Sequence, residues 1–597
     1  MIKVKLILCL VVCWLALGSG VRAAEASTKL KVSSLTFQGN RSFTDRQLRK
    51  VMLTRPSRFL SRSYYYSDVL RDDLENLVLF YQQNGYLEAQ ITDTTIATDT
   101  AKQVVDIRIF ISEGELTRVE GVTVLGNTVF ADSLLLQKIG MAVDEPFRRT
   151  RLQEAALSLL TLYANQGYLE AEVVPDVRIN PETHRALIDF IIQEKTQFTI
   201  AEIRMDGLKK TKPQVVRREL LFHTGEVIKY SHLLESQRRL YLTGLFGSVF
   251  VRPQAAASGD STKKDILIEL QEAESIEFNL AAGYGSVEKA RGRIEFFNTN
   301  WRGTARKFGL ATKASFISRS IEGSFTEPRT LGLPWRTDLN LLMEYLEEPS
   351  YNLNRIGARL VVGRGFGKRS TASVTYRHER AELRHVEVSP VPADLESNLR
   401  SLALSLIFDT RDNLFNSTRG VYVEWKNELA GSFLSGTDTF VRSVGRLKFF
   451  HPLRGSTIVG SALEIGWMDV FGRSKDIPLN ERFYAGGPNS LRGFGYQLVG
   501  PLDSEGHPLG GRFKLVWNLL EIRQVLYKMM GLALFTDVGN VWSQPEGSHL
   551  SDLRASAGIG LRANTPVGMV RLDYSINLEP KKGEPQARLY FNMGQAF

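Results

Sequence analysis

From Glu274 to Phe597 the sequence alternates apolar and polar residues with a period of two, and helical periodicity disappears. In the segment VRLDYSINL, Leu572, Tyr574, Ile576 and Leu578 point one way, while Arg571, Asp573, Ser575 and Asn577 point the other. In SLALSLIFD the apolar set is Leu402, Leu404, Leu406 and Phe408. A soluble sandwich alternates in the same manner. Against that reading stand an aromatic-rich apolar face and opposing charges such as Arg442, Arg446 and Lys448, sustained over about 320 residues.

About sixteen strand-like runs lie between Ile276 and Phe597, and an even number returns the chain to the side of the membrane where it entered. Connections from even to odd strands, such as NTPVGM and RGFGKRS, are mostly short, and the longest connections run from odd to even strands, roughly at 380–400, 469–511 and 538–554. Short turns inward and long loops outward are expected of a membrane barrel. The terminal RLYFNMGQAF fits the same pattern: Leu589, Phe591, Met593 and Phe597 share the lipid face, and Arg588, Tyr590 and Asn592 face the lumen. The last strand must pair with the first, because backbone groups left open in lipid cost several kcal/mol each.

Upstream, one unit of about eighty residues occurs three times. YQQNGYLEAQ from Tyr81 returns as YANQGYLEAE from Tyr163 and, decayed, as YLTGLFGSVF from Tyr241. Ahead of each lies a glycine after a short alternating strand: Gly39, Gly126 and Gly207. A brief helix, a longer helix and two more strands complete a β-α-α-β-β unit. The boundaries read as 30–114, 115–195 and 196–273, followed by a sixteen-stranded antiparallel barrel over 274–597. A three-stranded sheet of this kind leaves an edge with unpaired backbone groups.

Residues 1–23 have the layout of a secretory signal: a charged start, the apolar run LILCLVVCWLALGSG, and small residues around Ala23. Cys9 and Cys13 both fall inside it, so the mature chain offers no disulfide, thiolate ligand or thiol nucleophile. With 75 basic and 65 acidic residues the formal charge is +10, and removing Lys3, Lys5 and Arg22 with the signal leaves +7. That excess is scattered, without the block a nucleic-acid partner needs. No later stretch approaches eighteen uninterrupted apolar residues, which excludes a helical membrane protein.

The segment ERFYAGGPNSLRGFGY, Glu481 to Tyr496, looks least like part of a passive barrel. Its glycines permit a tight excursion, and a lumen-buried Arg492 would need anionic partners. Glu521 in WNLLEIRQ and Asp537 in LFTDVGNVW are the candidates on the following strands. Catalytic signatures are missing: there is no HExxH and no GxSxG. GRGFGKRS from Gly363 has the wrong Gly-to-Lys spacing for a phosphate loop and reads as a turn. Asp409, Arg411 and Asp412 read as a charged turn. The chain is expected to be no enzyme and to need no cofactor or metal.

GGPNSLRGFGY, FTDVGNVW, FDTRDNLFNSTRGVYVEW and YFNMGQAF, behind three Gly/Tyr repeats, resemble the BamA/TamA superfamily of outer-membrane assembly barrels, also called bacterial surface antigens. The likeness covers essentially the whole mature chain. It implies that the repeats are polypeptide-transport-associated (POTRA) domains in the periplasm. Three of them resemble TamA more than BamA, which usually carries five. The family's loop motif begins with Val where this chain has Leu491, leaving Arg492, Gly493 and Phe494 in register. The resemblance implies that Arg492 pairs with Glu521 and Asp537 inside the barrel. It also implies that Gly594, with Phe591 and Phe597, belongs to a C-terminal signal strand at a weak seam.

The implied function is capture of unfolded outer-membrane β-barrel proteins or autotransporters on POTRA strand edges, then insertion through the first/last-strand seam in contact with outer-membrane lipids. Implied partners are a TamB-like inner-membrane-anchored protein or Bam-type lipoproteins. The alternative is a two-partner-type secretion channel exporting a polypeptide through the lumen. Such transporters usually carry two repeats behind a plug helix, for which the residues between the signal and Lys31 leave no room.

Overall fold

A computed structural model of the chain describes residues 30–57, 63–367, 369–453, 455–472, 474–527, 529–565 and 568–593. The signal-like segment, Gly594 and Phe597 lie outside these. The chain forms two compact units whose boundary runs through the third repeat.

Each repeat is β-α-α-β-β with a three-stranded sheet in which the last strand lies in the middle. In the second repeat, Arg118–Leu125 runs parallel to Arg185–Gln193, and Glu172–Asn180 runs antiparallel on its other side. Helices Asp132–Ile139 and Arg149–Ala164 pack on one face, burying Leu135, Leu159 and Tyr163 against Ile188 and Phe190. The start of the first strand is covered, because Val119 and Asp144–Glu145 exchange backbone hydrogen bonds of 2.9 and 2.8 Å. The open edge is therefore the strand after the long helix.

The recurring glycine has a steric cause. Gly126 sits at φ +84° with its missing Cβ 2.3 Å from the Ile192 carbonyl oxygen, and Gly39 and Gly207 meet Ile111 and Leu270 in the same way. Two residues beyond each carbonyl stands a glutamate. Glu194 accepts hydrogen bonds from the Thr128 and Val129 amides at 2.7 and 2.9 Å and from the Tyr163 hydroxyl at 2.8 Å. Glu113 does the same with Ser42 and Tyr81, and Glu272 with the amides of Lys209, Lys210 and Thr211. The glycine lets the chain turn tightly enough for its next amides to reach that carboxylate.

The third copy needs a correction of register. Tyr81 and Tyr163 are buried, each four residues before the glycine that ends its helix, and the residue in that place in the third repeat is Leu240. Tyr241 points away and is 58% exposed. A leucine keeps the apolar contact and gives up the hydroxyl; Glu272 has three amide donors instead.

The remainder is a sixteen-stranded antiparallel sheet from Ile276–Gly285 to Ala587–Met593, each strand paired with its neighbour in sequence. Its pattern is inside out. Leu402, Leu404, Leu406 and Phe408 are exposed, whereas Ser401, Arg571, Asp573, Ser575 and Asn577 are buried. Apolar residues outside and polar residues inside are what a wall in hydrocarbon requires.

The long connections are 385–395, 471–512 and 543–553. Ladder pairing of Val470 with Phe440 and of Phe513 with Trp542 sets the middle one slightly off the expected 469–511. Two even-to-odd connections, 328–335 and 410–419, are longer than expected. The second is held by the charged turn: Arg411 forks onto Asp409 at 2.9 and 2.8 Å, and Asp412 accepts from the Thr418 amide at 2.9 Å.

Gly126→Ala should therefore destabilise the second repeat by about 2 kcal/mol, since it forces strain at a positive φ and a backbone clash. Loss of hydrogen-exchange protection across Arg118–Leu125 reads this out. A pH dependence accompanies it. Burial pushes the Glu194 carboxyl up, but the bonds from Thr128, Val129 and Tyr163 outweigh it and hold the group below the ordinary range. Its stabilisation is complete above the pKa of an unfolded glutamate and is lost as pH falls through the lowered value. Protection of the Thr128 and Val129 amides, corrected for intrinsic exchange, should fall in that acid window and be flat with pH in Glu194→Gln.

Candidate functional site

The connection 471–512 turns back into the lumen as a ribbon zipped to itself by isolated antiparallel bridges at Phe483–Gly511, Ala485–Val499 and Leu502–Pro508. Gly486 and Gly487, at φ +107° and +101°, reverse the chain, and the Ser490 amide closes the turn onto the Gly487 carbonyl at 3.2 Å. Ala485, Leu491, Phe494 and Val499 then pack on Val516 and Val541 of the wall.

At the tip Arg492 is fully buried. Its Nε and Nη2 donate to the two oxygens of Asp537 at 2.7 and 2.6 Å, and its Nη1 donates to Glu521 at 2.5 Å. The Arg492 amide adds a bond to Asp537 at 3.1 Å. Both carboxylates are also fully buried, on the twelfth and thirteenth barrel strands, Phe513–Tyr527 and Met530–Trp542. The planar guanidinium lies 3.5 Å from the centre of the Phe535 ring, so its face is satisfied as well as its edge.

The next residues explain the rest of the motif. The Gly493 amide donates to Ser556 Oγ at 3.2 Å, and a Cβ at Gly493 would fall 2.4 Å from that of Ser556. Only glycine lets the loop backbone lie this close to the wall. Phe494 presents its carbonyl to the hydroxyl of Tyr590, on the last strand, at 2.7 Å, and the Arg554 guanidinium lies 4.7 Å from the centre of its ring. The loop tip is thereby tied to the last strand as well as to strands twelve and thirteen.

Arg492, Gly493, Phe494, Glu521 and Asp537 thus converge as the sequence suggested. Phe591 faces outward on the last strand. Sequence reasoning missed Phe535, Asn518, which bonds both Asp537 and the Ser490 carbonyl, and Asn489, which accepts from Arg571. It also missed a second anchor. Glu481, at the base of the ribbon, accepts from Arg377 at 3.1 Å through both oxygens and from Arg442 at 2.7 Å. Glu428 joins Arg377 at 2.7 Å. The signal was present: all are charges in the lumen phase of the alternation, except Glu481 at the head of the segment singled out.

The seam is built differently from the rest of the wall. Among the described residues the first and last strands share no ladder pairing. Hydrogen bonds there gather at one point: Ser286 donates its amide to the Phe591 carbonyl at 3.0 Å, and its Oγ accepts the Phe591 amide at 2.8 Å. The Tyr284 and Phe591 rings are 6.1 Å apart. Below this contact Phe278 and Leu280 are 67% and 73% exposed, against 38% for Leu402 on a strand with neighbours on both sides.

Arg492→Ala would leave the buried Asp537 without its cation and Glu521 with Arg523 alone at hydrogen-bond distance, a loss of about 3–5 kcal/mol in loop docking. The expected result is a barrel that still forms but whose 471–512 connection is cut rapidly by protease, with a lower unfolding temperature in heat-shift electrophoresis. Arg492→Lys should rescue little, because an ammonium cannot fork across both carboxylates.

Comparison with known proteins matches residues 300–597 to the Omp85 superfamily domain and 30–114, 117–195 and 198–273 to the POTRA model, described as a surface antigen variable number repeat. Similar relatives include the outer membrane protein assembly factor BamA of Nitratidesulfovibrio vulgaris, 24% identical over 96% of this chain and 74% of that protein. BamA of Neisseria meningitidis serogroup B is 25% identical over 95% of this chain and 78% of its own length. The crystal structure of Haemophilus ducreyi BamA lacking POTRA domains 1–3 superposes with a TM-score of 0.70 at 20% identity, covering 80% of this chain and 99% of that one. With three POTRA repeats ahead of a nearly closed sixteen-stranded barrel and a matching barrel domain, the chain belongs to the Omp85 superfamily.

Proposed function

We propose that this protein is an outer-membrane protein assembly factor, with its barrel in the outer membrane and its POTRA repeats in the periplasm. One observation carries the reading: a wall continuous through fifteen hydrogen-bonded strand pairs and, among the described residues, hydrogen-bonded at its ends only between Ser286 and Phe591. Among the described residues, the edge of Ile276–Gly285 that faces the last strand has no ladder partner, in a medium that supplies none, which is a standing preference for an added strand. An unfolded barrel protein brings such a strand, and pairing through main-chain groups is indifferent to its sequence. The open strand edges of the repeats, Gln90–Asp99, Glu172–Asn180 and Phe246–Ala255, offer the same kind of pairing to a client before it reaches the membrane. No reacting group is invoked, because closing a client barrel in lipid is downhill. A TamB-like or Bam-type partner would act by presenting clients to the repeats.

Export through the lumen is the poorer reading. The 471–512 ribbon is locked there by two separate groups of buried ion pairs, and an exported chain would have to break both.

Gly285 and Asn592 test the seam: a Cβ at Gly285 would lie 3.0 Å from Asn592 Oδ1. In the otherwise cysteine-free mature chain, Gly285→Cys with Asn592→Cys should form a disulfide that slows client insertion to its unassisted rate, with recovery on reduction. Insertion by the oxidised protein at the wild-type rate would sink the seam reading.

A further inference from the structure

The outward wall carries one sector in which charge and apolar surface meet in a recess. Ladder register aligns outward residues of the fourth to seventh strands, Ser318–Glu327, Arg336–Glu348, Tyr351–Phe366 and Ser370–Arg384. Arg319 stands beside Tyr345, and in the next row down Ile321, Met343, Ile356 and Arg380 follow one another. Both rows lie near the rim opposite the one where the chain enters the barrel. They border a groove of about 740 Å³, within the range of about 300–1,000 Å³ typical of ligand clefts. Its floor is Ile321, Met343 and Ile356, each about half exposed. Toward the middle of the wall the next row is also apolar, with Leu341 standing between Gly323 and Ala358.

The mouth holds charges of both signs, and one of its cations is left over. Arg319 is exposed and makes no ion pair among the described residues. Arg380 holds Glu396 at 3.0 Å, with both side chains about two-thirds exposed, a weak and exchangeable pair. Glu382 is already engaged by Arg384 at 2.9 Å, and Glu347 accepts the Tyr345 hydroxyl at 3.0 Å. A wall facing only acyl chains has no use for an unpaired arginine, and a wall facing only water has no use for an apolar trough leading from it. An amphiphile with an anionic head uses both.

The geometry points to a binding site for a phosphate-bearing lipid of the outward leaflet. Its phosphate would be held by Arg319 and Arg380, with Tyr345 at the headgroup level, and one acyl chain would lie along Ile321, Met343 and Ile356. Arginine suits this role because its planar fork matches a phosphate and its stem lies along apolar surface. The site sits on strands away from the seam, so lipid held there would fix the rigid side of the barrel in the leaflet while the joint moves.

This rests on the reading that the barrel spans the outer membrane, but it is tested without any client, so either can fail alone. The full-length protein in phosphatidylcholine nanodiscs would be titrated with diphosphoryl lipid A and with the same lipid freed of phosphate, and retention scored by native mass spectrometry. Wild type should retain the phosphorylated lipid preferentially. Arg319→Ala should weaken retention about fivefold, and Arg319→Ala with Arg380→Ala roughly thirtyfold, given the usual attraction of each basic residue to anionic lipid. Ile356→Trp, which fills the floor and keeps both arginines, should weaken both probes. Arg306→Ala, outward at the opposite rim, is the control and should change nothing. Equal retention of the two probes by wild type, or wild-type retention by the folded double variant or by Ile356→Trp, would overturn the site.

Discussion

Hydrocarbon does not hydrogen-bond, and everything in the barrel half of this protein follows from that. Every backbone amide and carbonyl in the wall must be met by the neighbouring strand, so the chain runs as sixteen antiparallel strands in sequence order. The same medium inverts the usual placement of side chains. Leucine and phenylalanine face out, and arginine, aspartate and serine become the interior. Among the described residues the rule is relaxed between the first strand and the last, where assembly is proposed to occur.

An interior made of charges has its own requirement. Buried ions are tolerated only when each is met by an opposite charge and by hydrogen bonds, and removing one partner is costlier than removing the pair. The re-entrant ribbon satisfies this at both ends. Glu481 at its base enters a group containing Arg377 and Arg442, and Arg492 at its tip enters one containing Glu521 and Asp537. The ribbon therefore braces strands that are far apart in sequence. Phe494 also accepts a hydrogen bond from Tyr590, which ties the ribbon to the last strand.

The repeats reach order by ordinary means. A helix pair covers one face of a small sheet, and a glycine turn delivers amides to a glutamate at the end of the middle strand. The device survives in the third repeat without its tyrosine, since Leu240 keeps the packing and three amides serve Glu272. Polarity there can be redistributed between side chain and backbone. In the lumen it cannot, because the arginine fork has to meet two fixed carboxylates at once.

Much of this was legible beforehand. Period-two alternation with apolar aromatics on one face sets strand number and facing, because each side chain has only two directions available. Repeat spacing set the three domains, although a one-residue slip made Tyr241 rather than Leu240 the third partner. Arg492, Glu521 and Asp537 were readable as charges that burial would force together. Phe535 beneath the guanidinium was not, because an aromatic in the lumen phase looks like any other strand residue until the loop lands on it. Nor was the Ser286–Phe591 contact, or the meeting of Arg319 with an apolar trough. Alternation fixes which way a side chain points; only register and barrel closure, which join strands distant in sequence, decide what it meets there.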